Sequence, residues 1–196
     1  MDVILVLSAY VLGSIPTGYL LGRLAGVDVT KAGSGNVGAT NVARVLGRSQ
    51  GVLTLIADAA KGLIPVVVAM QSGASSGATV LAGTAAFIGH LYPIFLKFKG
   101  GKGVATAFGV FIALAPLVAL ILLAVFALTA LTSRIVSLSS MVTAATAPLI
   151  LWLFHYPSLV IGMATFMGGA IILRHRSNIQ RLIEGSEPRF RSANSR

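Results

Sequence analysis

Three short stretches of this 196-residue chain carry residue types suited to gripping a phosphate. The first is Lys31-Ala32-Gly33-Ser34-Gly35-Asn36-Val37-Gly38-Ala39-Thr40-Asn41, followed by Arg44. Gly33, Gly35 and Gly38 let the backbone turn tightly and aim N–H groups at an anion. Ser34, Asn36, Thr40 and Asn41 add neutral donors. Arg44 adds a planar, permanently charged fork that matches phosphate oxygens. The second stretch runs from His90 through Tyr92 and Lys97 to Gly100-Gly101-Lys102-Gly103. It sets a cation and bare backbone amides at the start of an apolar segment, where a helix N-terminus would favour an anion. The third is Arg174-His175-Arg176-Ser177-Asn178-Ile179-Gln180-Arg181-Leu182-Ile183-Glu184-Gly185, with His175 and Asn178 three apart and so on one face of a continuing helix. Each stretch also has a plainer reading: a flexible polar connector, lysines resting on anionic headgroups, and a basic stop after an apolar segment.

The same inventory closes off other chemistries. Neither loop fits a dinucleotide fingerprint, and Gly103 after Lys102 breaks the Walker pattern. There is no Cys, so disulfides, zinc thiolates and cysteine nucleophiles are excluded. No Ser-His-Asp triad is evident. A His-x4-Asp acyltransferase pattern is absent as well, because Phe95 follows His90 and Gln180 follows His175 at that spacing. Asp2, Asp28, Asp58, Glu184 and Glu187 are all the carboxylates, and none forms a pair in a candidate loop. A magnesium-dependent phosphotransferase needs such pairs, so no metal and no cofactor is expected. Asp58 and Lys61 sit three apart inside an apolar segment, where charges are costly and normally paired; they read as a buried ion pair. His90 by itself reads as a packing or capping residue, and His155 is given no chemistry.

The elements that must position these loops are set by composition. Hydrophobic residues make up 56% and charged residues 10%, against about 25% charged in a soluble domain. Mean hydropathy is +0.90. The formal charge of +10 would suggest nucleic acid in a soluble protein; in an apolar chain it asks instead which membrane face the cations occupy. No Lys or Arg precedes Val3-Ile4-Leu5, so the first apolar run reads as a retained membrane helix and not a secretory leader. Seven apolar segments are marked, roughly 3–22, 50–71, 78–95, 103–115, 117–133, 135–154 and 158–173. The fourth and fifth are short, and a re-entrant hairpin there would leave the same parity. With the N-terminus outside, Arg23, Lys31, Arg44, Arg48, Lys97, Lys99, Lys102, Arg134 and the six arginines from Arg174 onward all fall inside. The outer loops near 72–77, 116 and 155–157 carry no Lys or Arg, as the positive-inside rule requires. The expectation is therefore an all-α integral membrane protein. It would be a compact bundle of seven transmembrane helices, N-terminus outside and C-terminus cytoplasmic, in a single domain over 1–196 with a polar tail from about 182. Gly18, Gly22 and Gly26 are expected to let another backbone approach the first helix, and Pro16 to kink it. Trp152 and Tyr156 are expected at the outer interface. Three cationic loops on one membrane side suit a substrate with a phosphate head and an apolar tail.

At these residues the chain resembles the bacterial membrane-integral glycerol-3-phosphate acyltransferases that use acyl phosphate, the PlsY type. GSGNVGATNVARVLG (33–47), GHLYPIFLKFKGGKGVAT (89–106), RIVSLSS (134–140) and RHRSNIQRLIEGSE (174–187) carry the likeness, in order and across nearly the whole chain. Val37 stands where the family often has Pro, and Tyr92 where it often has Phe; neither change removes a donor or a charge. The resemblance implies acyl transfer from acyl phosphate to the 1-hydroxyl of glycerol 3-phosphate, giving 1-acylglycerol 3-phosphate and phosphate. It also implies seven membrane helices and a cytoplasmic site in the bacterial inner membrane. On that reading Arg44, Lys102, His175 and Asn178 contact the phosphates and glycerol. Ser34, Gly35, Asn36, Thr40, Asn41, Gly103 and Ser140 complete the binding set, and Arg44, Lys102 and His175 form the catalytic group. The leaving group is good, so polarising the carbonyl and placing the hydroxyl can suffice. A donor phosphate oxygen then takes the proton, with His175 as the second choice of base. Partners are the two substrates and membrane lipid, with no nucleic acid and no obligate protein. The competing reading is a transporter for a phosphate-bearing solute, which would carry mid-membrane cations and inverted repeats. Here the cations cluster at one face, and no repeat is visible.

Overall fold

The computed structural model describes residues 1–190. They form ten α-helices and one 3-10 turn, and no strand occurs among the described residues. The chain divides into two compact units, Met1–Leu114 and the part from Ala115 onward.

In the first unit the opening apolar segment is two helices, α1 (Asp2–Gly13) and α2 (Thr17–Leu24). The break falls at Ser14–Pro16, because proline has no N–H to continue the helical ladder. The Ile15 carbonyl in that break accepts a hydrogen bond from Lys61 Nζ at 3.0 Å. Along α1 the bulky Val3, Ile4, Leu7 and Val11 are exposed, while Ala9 and Gly13 are buried. A water-soluble helix would reverse that pattern; here small residues pack inward and large ones face lipid. Gly13 meets α5 (Ser76–Leu91) so closely that a Cβ there would fall on the Ala86 carbonyl, and one on Gly89 would fall on Tyr10. Gly18 and Gly22 do admit another backbone, but it is the polar loop: the Val37 and Val27 carbonyls lie against them. Gly26 admits nothing and instead closes α2 with φ of 72°.

After α3 (Ala39–Leu46) comes the long α4 (Arg48–Gln71), which packs on α5 and on α6 (Val104–Leu114). Gly62 sits against the Thr106 carbonyl and Gly109 against that of Ala59, so α4 and α6 touch through backbone. The second unit holds α7 (Pro116–Ser133), α8 (Val136–Leu153), α9 (Ser158–Arg174) and α10 (Arg176–Ile183). There α8 packs on both α7 and α9. Trp152 is exposed at the expected end of α8.

Five helical stretches among the described residues are long and apolar enough to cross a membrane. A sixth counts if α9 and α10, bent by 57°, form one span. The protein is thus an all-helical, multi-pass membrane protein. Every one of the seven apolar segments is helical, but α6 has only 11 residues. At about 1.5 Å per residue it covers roughly half of a bilayer's hydrocarbon core. The tail is more engaged than its polar composition suggests. Gly185, with φ of 70°, turns the chain back, and the Phe190 N–H donates to the Arg134 carbonyl at 3.0 Å. Arg191 and Arg196 lie outside the described residues.

Candidate active site

The first loop is organised by Asn41, buried at 2% exposure. Its Nδ2 faces the carbonyls of Val29 (3.1 Å), Ala32 (3.1 Å) and Asn36 (2.8 Å), and its Oδ1 accepts from the Ser34 N–H at 2.7 Å. That takes up both N–H donors of the carboxamide. The expectation that Asn41 donates to a substrate phosphate is therefore revised: the amide is committed to shaping the loop. Asn36 Oδ1 likewise accepts from Gly38 N–H at 2.8 Å. Gly33 and Gly35 have φ of 61° and 71°, left-handed values that a side chain would strain. A Cβ on Gly33 would also meet Asn41 Oδ1. The loop so shaped leaves Ser34, Gly35, Thr40 and, one turn into α3, Arg44 exposed. Val42, two positions earlier, is fully buried and seats α3.

The second loop hangs on the last turn of α5. The Gly100 N–H donates to the Leu91 carbonyl and the Gly101 N–H to that of His90, both at 3.1 Å. All three glycines answer to crowding. A Cβ on Gly100 would strike the His90 carbonyl, one on Gly101 the imidazole Nε2, and one on Gly103 the Phe87 ring. The sequence reading assigned these glycines to anion binding alone; the structure adds that only glycine fits against α5. Lys102 is half-buried two residues before the start of α6, near the helix N-terminus that the Gly-Gly-Lys-Gly spacing predicts.

Behind these loops lie Asp58, Lys61 and His90, each 5% exposed or less. Asp58 Oδ1 is 2.9 Å from Lys61 Nζ and 3.6 Å from His90 Nδ1. The predicted ion pair is present, and His90 joins it, which α4 periodicity alone could not reveal. A small cavity is lined by Ser14, Pro16, Val37, Asp58, Lys61 and His90, so the first loop and the end of α5 border one space.

In the second unit, His175 and Asn178 sit at the bend between α9 and α10, both buried. His175 Nδ1 is 2.8 Å from the Ile171 carbonyl. A carbonyl only accepts, so Nδ1 carries the proton in this contact. The Ser140 hydroxyl donates to the Val136 carbonyl at 2.9 Å, one helical turn back along α8.

The polar partner missed by sequence reasoning is Glu187. Its Oε1 accepts from Asn178 Nδ2 and from the Ser137 hydroxyl, each at 2.6 Å, and its Oε2 from Arg181 Nε at 2.7 Å. Burial opposes ionisation of this carboxyl, but the three hydrogen bonds and the Arg181 charge outweigh it and hold the group below the ordinary glutamate range. The only available signal was its place as the last acidic residue of the 174–187 stretch. No group of three metal-ligating side chains occurs among the described residues.

Comparison with known proteins agrees with this architecture. Residues 3–185 match the family described as Glycerol-3-phosphate acyltransferase. The protein of that name from Geobacter sulfurreducens is 49% identical over 191 residues, 97% of this chain and 98% of its own. The one from Aquifex aeolicus is 48% identical over 187 residues, 95% of this chain and 97% of its own. Among solved structures, PlsY, described as an integral membrane glycerol 3-phosphate acyltransferase in its glycerol 3-phosphate form, is 47% identical with a TM-score of 0.94. It covers 97% of this chain and 96% of that one. The same protein's lysophosphatidic acid form gives a TM-score of 0.91.

Proposed function

Because the chain belongs to the glycerol-3-phosphate acyltransferase family, we propose that it moves an acyl chain from acyl phosphate to the 1-hydroxyl of sn-glycerol 3-phosphate. The products are 1-acylglycerol 3-phosphate and inorganic phosphate, the first acylation in making a phospholipid. The acyltransferase identity rests on the family match over residues 3–185. One observation carries the choice of donor: the loops offer cations, exposed hydroxyls and backbone N–H groups, and no nucleophile–base–acid set that a less activated donor would require.

Ser34, Gly35, Asn36, Thr40 and Arg44 in the first unit, with Lys102 and Gly103, hold phosphate oxygens. Ser140, His175 and Asn178 in the second unit serve the same reaction, so residues 1–196 act as one acyltransferase domain. Arg44 and Lys102 offset the charge of the two phosphate-bearing substrates as they bind. His175 contacts the glycerol backbone or its phosphate and helps place the 1-hydroxyl, while Asn41 and Glu187 shape the two halves without touching substrate. In the transfer the 1-hydroxyl oxygen forms the new ester bond, the acyl C–O bond to phosphate breaks, and the hydroxyl proton passes to a phosphate oxygen. Neither a metal nor a cofactor takes part in this reading, and the partners are the two substrates and membrane lipid.

All seven apolar segments enter the membrane, with α6 as the short member. The N-terminus lies outside, and the substrate loops lie on the cytoplasmic face of a bacterial inner membrane, the side where the cations collect. Purified protein given acyl phosphate and glycerol 3-phosphate should produce lysophosphatidic acid, and acyl-CoA or acyl carrier protein should not replace the donor. Product formed equally well from acyl-CoA would overturn the donor assignment. A transporter would move the phosphate-bearing solute across vesicles without forming an ester.

A further inference from the structure

Asp58 and Lys61 are both on α4, so their 2.9 Å contact ties no two helices together. What each reaches beyond α4 is more telling. Lys61 Nζ holds the Ile15 carbonyl at the break between α1 and α2. Asp58 faces His90 on the last turn of α5. The opposite edge of that imidazole lies where a Cβ on Gly101 would be. The Gly101 N–H is bonded to the His90 carbonyl as well. Side chain and backbone of one residue therefore support the loop that ends in Lys102. Three ionisable groups within the apolar segments carry a desolvation cost that an apolar core would avoid, so a bundle brace alone does not explain them.

We infer that His90, with its ring oriented by Asp58, is a positioning residue for acyl transfer: it props the Gly100–Gly103 loop and so sets where Lys102 meets phosphate. The inference rests on the reading of that loop as a phosphate holder. The Asp58 carboxylate lies 3.6 Å from Nδ1 on one edge of the ring, and Nε2 on the other edge lies against Gly101. Without the ring the loop keeps its two backbone hydrogen bonds but loses its floor. The cation would then be presented from a wider range of positions, a fault that appears mainly in ground-state binding.

The test is a double-mutant cycle on the purified full-length protein, measuring KM for each substrate, kcat and the thermal midpoint. Lys102→Ala first identifies the substrate whose KM depends on the loop. His90→Ala and Gly101→Ala should each raise that same KM about tenfold, with kcat changed far less. Asp58→Asn should raise it by a smaller factor. The pair His90→Ala/Gly101→Ala should be no worse than the poorer single variant, because removing the ring makes room for the added methyl. Multiplying effects, or changes confined to the thermal midpoint with KM intact, would overturn the inference while leaving the Lys102 result standing. A Lys102→Ala variant with both KM values unchanged would overturn the phosphate-loop reading and this inference with it. If Gly101→Ala gives no folded protein, His90→Gln decides: an amide that still spans Asp58 and the loop should restore most of the KM lost in His90→Ala, and equal KM values for the two overturn it.

Discussion

The Asn178 amide donates to Glu187 Oε1 at 2.6 Å, although nine residues and a reversal at Gly185 separate them. This contact turns the start of the polar tail into part of the α10 structure and keeps Asn178 from swinging. Glu187→Gln should lose the charge in three hydrogen bonds at once and lower stability by about 2 kcal/mol at neutral pH. Because the folded carboxyl ionises below its ordinary value of 4.5, its contribution is complete above that value and fades as pH falls through the depressed one. Thermal midpoints of wild type and Glu187→Gln should differ at pH 7 and converge on acidification below about 4.5. A gap that widens with acid would contradict the assigned sign.

Asn41 gives a sharper test of loop shape. Asn41→Asp preserves size but sets a carboxylate against three carbonyls that need a donor. It should disorder the 33–41 loop and raise KM for at least one substrate about tenfold or more, with Arg44 still in place. Wild-type KM values in this variant would show that the loop does not depend on that amide.

Arg44 is exposed and carries the one fork in the first loop. Arg44→Lys keeps the charge and loses the paired grip on two oxygens. The expected result in steady-state assays is a KM raised about tenfold for one substrate with kcat nearly kept. A fall in kcat with KM unchanged would move Arg44 from ground-state binding to transition-state stabilisation.

His175 separates the two routes for the proton. With Nδ1 donating to the Ile171 carbonyl, Nε2 is the acceptor in the neutral ring. His175→Asn keeps a hydrogen-bonding side chain but not the imidazole, so substrate-assisted transfer predicts appreciable kcat and mainly a KM effect. Loss of kcat by about 10^4 or more with KM intact would instead identify His175 as the general base.

Membrane orientation is open to chemical labelling. Ser72→Cys lies in the outer loop of the proposed topology, and Ser192→Cys lies in the tail beyond the described residues. An impermeant thiol reagent applied to intact cells should label Ser72→Cys only. Labelling of Ser192→Cys alone would reverse the arrangement.

The membrane class and the three loops are legible in the sequence because both rest on local composition. An uncharged apolar run has few fates other than lipid, and glycine beside cations is visible residue by residue. The break at Pro16 is equally local, since a missing N–H interrupts a helix wherever it falls. The crossing count is less local: Val104–Leu114 is apolar but ends after eleven residues. Only the folded chain could decide which polar side chains hold the loops in shape. Asn41 and Asn36 look alike in sequence, yet the buried position of Asn41 beside four backbone groups directs its amide inward. His90 and Asp58 are 32 positions apart, and Glu187 reaches Ser137 across fifty. Hydrogen bonds act over about 3 Å in space and leave no periodic trace in sequence. Such partnerships arise only once helix packing has brought distant residues together.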